Sequence, residues 1–257
     1  MAVASTVKQR TIPGGKVFIN LFDANGAQKG ERYIGLTPGF TITMASDSIQ
    51  SYSSENGMRE LDDETTISVT RTGKLTCRQV SVENLALFLA ATPSVQTQAA
   101  GNVTGEAHRV YPDRYYQLGA STANPTGVRN VSNVVITGAT AGEYTVDAPN
   151  GRVYVHANAT VDPVAGEDWI FAYDVPAATR DQILTGMTVS TSASLRFEAH
   201  PGKGLPRDLF GPNVNFAPSG DWVLKADDPQ YVELSWDISF SVGRNGEPAL
   251  IVDGRPE

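Results

Sequence analysis

Cysteine is nearly absent from this 257-residue chain; its one example is Cys77. That excludes an intramolecular disulfide framework or a cysteine-rich zinc site and fits manufacture in a reducing cytoplasm. Cys77 itself reads as a small core hydrophobe. Long apolar runs are missing too. The longest, Leu85 to Ala91, falls far short of the roughly 20 residues a membrane-spanning helix requires. The opening MAVASTVKQR has no apolar segment of a secretory signal, so a soluble, non-secreted protein without membrane insertion is expected. Positive charge is scarce, with Lys and Arg totalling 20 against 28 acids and a net charge of −8. Such a balance argues against gripping nucleic acid, whose non-specific affinity comes from cations that neutralise phosphates.

The usual signs of chemistry are also lacking. His108, His156 and His200 are far apart in the sequence and read as surface or turn residues, without the close spacing of a metal site. There is no GxSxG elbow, no GxxxxGK[ST] loop and no GxGxxG after a strand. Asp62-Asp63-Glu64 and Asp227-Asp228 match no EF-hand and read as solvated loop carboxylates. The N-x-[ST] triplets at Asn102, Asn130 and Asn158 read as chance. No catalysis, cofactor or metal is expected.

What the chain does have is period-two alternation. From Tyr231 to Val242 the even positions are Val232, Leu234, Trp236, Ile238, Phe240 and Val242, while the odd ones are Glu233, Ser235, Asp237, Ser239 and Ser241. That predicts a long strand with one dry and one wet face. Thr188 to Ala199 repeats the pattern, with Ala193, Leu195 and Phe197 on the dry side. Thr65–Arg71 and Lys74–Val80 are predicted as a hairpin linked at Thr72-Gly73, with Ile67, Val69, Leu75 and Cys77 facing inward. A helix over 82–91 is predicted after Ser81, a good N-cap, ending at Thr92-Pro93. A weaker helix is predicted over 177–184.

Two polar stretches, Ala45–Glu64 and Ala199–Pro229, are read as long loops, which in a compact domain usually bind something. Gly101 to Met187 holds expected strands at 130–137, 143–147, 152–158 and 168–173, with a turn at Asn150-Gly151. The expected organisation is therefore 1–100 and 188–257 as halves of one mainly β domain, with 101–187 as a β-rich insert.

The phrases RYIGLTPGFTITM (32–44), ELDDE (60–64), TTISVTRTGKLTC (65–77) and RQVSVENLALFLA (78–90), followed by YTVDAPNGRVYV (144–155) and SASLRFEAHPGKGLPRDLFGPNVNFAPSGDWVLKADD (192–228), occur in an order that resembles the major tail tube proteins of long non-contractile-tailed bacteriophages. The resemblance runs from about residue 16 to 242 in pattern and phrase. It implies a tail-tube fold of two packed antiparallel β-sheets, sandwich- or barrel-like, with one flanking helix. It also implies a virion protein that assembles in the host cytoplasm into stacked hexameric rings and passes double-stranded DNA during ejection. The implied partners are further copies of itself and the tape measure, tail terminator and distal tail proteins. Four two-faced strands per subunit, in six copies, would close a barrel of roughly 24 strands and on the order of 50 Å in backbone diameter. A non-enzymatic β-sandwich binding or decoration module is the alternative.

On this resemblance the wet faces are expected to line the lumen: Thr66, Ser68, Thr70, Ser190, Ser192, Ser194, Glu198, Glu233, Ser235, Asp237, Ser239 and Ser241. The loop over 45–64, with Asp47, Tyr52, Glu55, Met58, Arg59, Asp62 and Asp63, is expected to lie between stacked rings. It has too little apolar surface to order alone.

Overall fold

The computed structural model describes residues 10–23, 25–54, 57–186, 191–228 and 230–255. The protein is mainly β, built from antiparallel sheets that among the described residues form no closed barrel. It divides into two compact units, one made of residues 1–93 and 183–257 and the other of Ser94–Gln182. The insert expected from the sequence was bounded at 101 and 187.

The first unit is organised by an eight-stranded sheet. Its strands are β1 (Gly15–Leu21), β2 (Arg32–Tyr33), β3 (Gly39–Ser53), β4 (Glu60–Cys77), β13 (Ser192–Ala199), β14 (Arg207–Ser219), β15 (Leu234–Ser241) and β16 (Ile251–Gly254). They run in the order β2-β1-β13-β14-β15-β4-β3, with β16 against the start of β14. The sheet curls enough for Phe40 of β3 and Phe197 of β13 to bring their rings within 5.7 Å.

Alternation on β15 sets the core. Leu234, Trp236, Ile238 and Phe240 are all buried, while Asp237, Ser239 and Ser241 are exposed. Trp236 meets Phe88 of α1 (Val82–Phe88) edge-on at 6.2 Å. Complete burial of an apolar side chain of this size stabilises by roughly 1.5–3 kcal/mol.

Helix α1 is pinned at both ends. The Ser81 hydroxyl accepts the Asn84 N–H at its start. Asn84, 1% exposed, donates to the Ile34 and Gln79 carbonyls and accepts from Arg32. At the far end Ala91 N–H returns to Ala86 O and Ala90 N–H to Leu87 O, a Schellman closure with Ala90 at φ 47°. The helix thus stops before Thr92-Pro93, which already belong to β5 (Thr92–Gln98).

Several expectations are corrected. Thr72-Gly73 is no turn, because β4 runs straight through it. The stretch 45–64 is no loop either. Its described residues complete β3 and β4, whose backbones pair along a ladder that runs, with two bulges, from Gly39↔Thr76 to Ser53↔Glu60. A ribbon can order itself by hydrogen bonds where apolar content alone argues against it. Ile67 and Val69, expected inside, are 60% and 47% exposed because that part of β4 has left the core.

The polar stretch 199–229 contains β14, in the middle of the sheet. Its prolines sit where a strand tolerates them. Pro212 falls at a bulge between the pairs Ala193↔Val214 and Leu195↔Gly211, and Pro218 lies beyond Asn215, the last residue paired to β13. The helix expected over 177–184 is a strand, β12 (Ala178–Leu184), paired with β5. There the ladder outweighs a weak helical pattern. Ser190 lies outside the described residues.

The second unit is a small sandwich. One sheet is β7-β10-β9 (Arg114–Gln117, Arg152–Val155, Tyr144–Asp147) and the other is β6-β11-β8 (Gly101–Val110, Glu167–Val175, Ser132–Thr137). Val153 and Val155 share a core with Trp169, Phe171 and Tyr173. At its edge the part-buried Glu106 carboxylate accepts the Gly119 N–H at 3.0 Å and the Tyr173 hydroxyl, and lies 2.8 Å from His108 Nε2.

Candidate functional site

Two surfaces of the first unit draw together most of the residues singled out in the sequence. The first is the wet face of the sheet. Register places Ser192, Asn215, Ser239, Thr72 and Thr43 side by side across five strands. The next row is Ala217, Asp237, Lys74 and Thr41, and the one after it is Ser219, Ser235, Thr76 and Gly39. The Thr76 and Ser235 hydroxyls lie 3.4 Å apart. The face is a lattice of hydroxyls and amides on a rigid sheet, short of both apolar groups and unopposed charge.

The acids on and beside this face have cationic neighbours. Glu233, just before β15, holds Arg78 at 2.7 Å. Asp237 stands opposite Lys74. Arg196 pairs with Glu31 at 2.9 Å, and Glu198 lies opposite Lys16 and 3.7 Å from Arg255. A polyanion meeting this wall finds few free cations to bind and little net charge to repel it.

The expected lumen set does not all share one place. Ser192, Ser235, Asp237, Ser239 and Ser241 are on the sheet face. Ser194 is only 4% exposed; it is the register partner of Asn20, whose side chain accepts from Lys29 and Gly30 and donates to Gln28. Thr66, Ser68 and Thr70 lie further out, where Ser68 donates to Asp47 and Thr70 to the Ala45 carbonyl. Sequence reading put Thr76 on a polar face but missed Thr41, Thr43, Thr72, Lys74 and Asn215. The alternation in GFTITM would have exposed the first two.

The second surface is the arm. β4 has its last β15 partner at Thr72, so Met44–Ser53 and Glu60–Arg71 continue as a two-stranded ribbon, roughly 33 Å long at about 3.3 Å per residue. Bulges interrupt it between Asp47 and Ser48 and between Ser51 and Tyr52. Alternation along β3 from the core residues Phe40 and Ile42 carries their side of the sheet outward to Met44 and Tyr52. Met44 is 62% exposed; Tyr52 and its partner Leu61 are 45% and 52% exposed. Met58 is exposed at the tip, and the Arg59 guanidinium lies 4.1 Å over the Tyr52 ring. Asp47, Asp62 and Asp63 are on the ribbon strands, and Glu55 lies outside the described residues. Hydrogen bonds from Ser48 and Gln50 hold the Glu64 carboxyl below its ordinary pKa.

A projecting two-stranded ribbon is marginal alone. Open ribbon edges and uncovered apolar side chains are features that mark surfaces able to pair with or bind another molecule.

Both surfaces belong to a mainly β fold of antiparallel sheets. The chain belongs to the family described as Protein of unknown function UCP028589, whose model matches residues 11–200. That match covers β1 through β13 and so includes the whole second unit, the arm and part of the polar face. No curated protein matches the chain.

Proposed function

We propose that this protein is the repeating subunit of a tubular conduit, a tail tube of the long non-contractile-tailed phage type. Its copies join in hexameric rings that stack, and double-stranded DNA passes through them. The observation that carries the reading is the pairing of two opposite surfaces on one sheet. A broad hydroxyl face with balanced charge suits a wall that DNA must slide past without sticking, because affinity for phosphate rises with each unpaired cation. The arm, leaving the same sheet with uncovered apolar side chains, suits a contact between copies. A head-to-tail contact of that kind closes into rings or continues as a filament.

Under this reading the sheet face lines the lumen, the arm joins neighbouring subunits, and tape measure, terminator and distal tail proteins meet the assembled tube. Electron microscopy of purified protein over rising concentration tests it. Rings or tubes with a central channel are expected. A discrete monomer at every concentration and salt would overturn it and favour a binding module.

A further inference from the structure

The second unit, residues 94–182, carries nine acids against five arginines and no lysine. Three of those five arginines nevertheless meet around one short stretch of backbone. Arg129 donates through Nη1 to the Val128 and Asn150 carbonyls at 3.2 and 2.7 Å. Arg180 donates through Nη2 to the adjoining Gly127 carbonyl at 2.9 Å and to the Asn124 and Thr126 side chains. Arg152 lies over the Tyr115 ring and is held at 3.0 Å by Asp147, which also accepts from Asn150. Gln117 ties the frame together, donating to the Val128, Asn150 and Gly151 carbonyls. The three guanidiniums therefore stand on loops that the fold has already fixed.

Among the described residues Asp147 is the one carboxylate in an ion pair with any of the three. Asp181 follows Arg180 on β12, where strand alternation sends it to the other side. Burial, then the charges of Arg180 and Arg152, hold the Arg129 guanidinium below its ordinary pKa against the pull of Asp147. The carbonyls occupy one nitrogen each of Arg129 and Arg180. Nε and Nη2 of Arg129, with Nε and Nη1 of Arg180, have no acceptor among the described residues, and none of these atoms is shut off from solvent.

We infer that Arg129, Arg152 and Arg180 form a binding site for a phosphate group on the second unit. Three cations beside one carboxylate leave about two positive charges unmatched, and a phosphate monoester brings about −1.5 to −2 with three acceptor oxygens. Planar guanidinium forks suit such oxygens in pairs, whereas a single carboxylate offers one charge and two oxygens. The site goes beyond the tube reading and stands without it.

Calorimetric titration of the full chain at low ionic strength tests it, with inorganic phosphate, tripolyphosphate and succinate as probes. Phosphate is expected to bind, more weakly as salt rises, with succinate well behind. Arg129→Gln and Arg180→Gln should each weaken phosphate about tenfold. Asp147→Asn removes the competing charge, keeps an acceptor for Arg152 and should tighten phosphate about threefold, a gain that misfolding cannot mimic. Equal affinity per phosphate group for the two phosphate probes marks the free ion as the occupant; a preference for tripolyphosphate marks a phosphate-bearing chain. Absence of binding by both phosphate probes, succinate binding as tight as phosphate, or phosphate affinity unchanged in Arg129→Gln and Asp147→Asn would each overturn the site.

Discussion

Gly73 of β4 lies so close to the Thr41 carbonyl oxygen on β3 that a Cβ at position 73 would come within 2.7 Å of it. The Phe240 ring would be 3.4 Å away on the same side. Glycine is required here by a crossing of packed strands, between register partners Ile42 and Ile238. Gly73→Ala should therefore destabilise the first unit by about 1–3 kcal/mol, since the obstacle is backbone that cannot rotate away. Chemical denaturation of the variant checks this. Unchanged stability would show that β3 can yield at Thr41.

The same glycine shows where the sequence misleads. In TRTGKLTC it reads as a turn, because local sequence does not distinguish a glycine that bends the chain from one that makes room for a neighbour. The strands whose one face is dry, Leu234–Ser241 and Ser192–Ala199, were legible because burial writes a period-two pattern. The arm was not, since both its faces meet solvent in the single chain and its order comes from backbone pairing, which leaves little trace in side-chain polarity. β14 was hidden by Pro212 and Pro218, whose harmlessness depends on a bulge and a missing neighbour. Within the polar face, Ser235, Asp237 and Ser239 were legible from parity alone. Ser194 is buried against Asn20 of the neighbouring strand and the turn it ties down, information that lies far away in the sequence.

Ala90 closes α1 in the left-handed region at φ 47°, a conformation that costs an L-residue roughly 1–2 kcal/mol. Glycine would remove that strain and lose part of the gain to unfolded-state entropy. Ala90→Gly should stabilise the first unit by about 0.5–1 kcal/mol, read as a higher denaturation midpoint with an unchanged slope. A lower midpoint would mean that the methyl group's packing outweighs the backbone strain.

The second unit should resist acid through Glu143. Hydrogen bonds from the Thr160 hydroxyl and N–H, and from the Thr140 N–H, pull its pKa down to about 2. A depressed carboxylate adds stability in full above its unfolded pKa, near 4.3. That contribution drains away as pH falls through the folded value. The difference in stability between wild type and Glu143→Gln should thus be constant above about pH 5 and shrink between pH 4 and pH 2. Thermal melts across that window, followed through a probe in residues 94–182, would show it. A gap that widens toward pH 2 would reverse the assigned sign.

The assignment of the sheet face to the lumen can be tested by making that wall adhesive. Ser239 and Thr43 are exposed hydroxyl residues in one row, both flanking Thr72, so replacing them with lysine breaks no ion pair and removes no core contact. In a ring of six, Ser239→Lys with Thr43→Lys adds about twelve cations per ring, and every phosphate contact contributes affinity that falls as salt rises. Tubes of normal length are expected, because neither residue lies on the arm. DNA release should slow at low ionic strength and recover as salt is raised, since added ions compete for the same phosphates. Salt is the decisive control, because a delay caused by a narrowed channel would not respond to it. Normal release from variant tubes at low salt would place this face away from the passing DNA. Loss of assembly in a correctly folded variant would instead place the row at a contact between subunits.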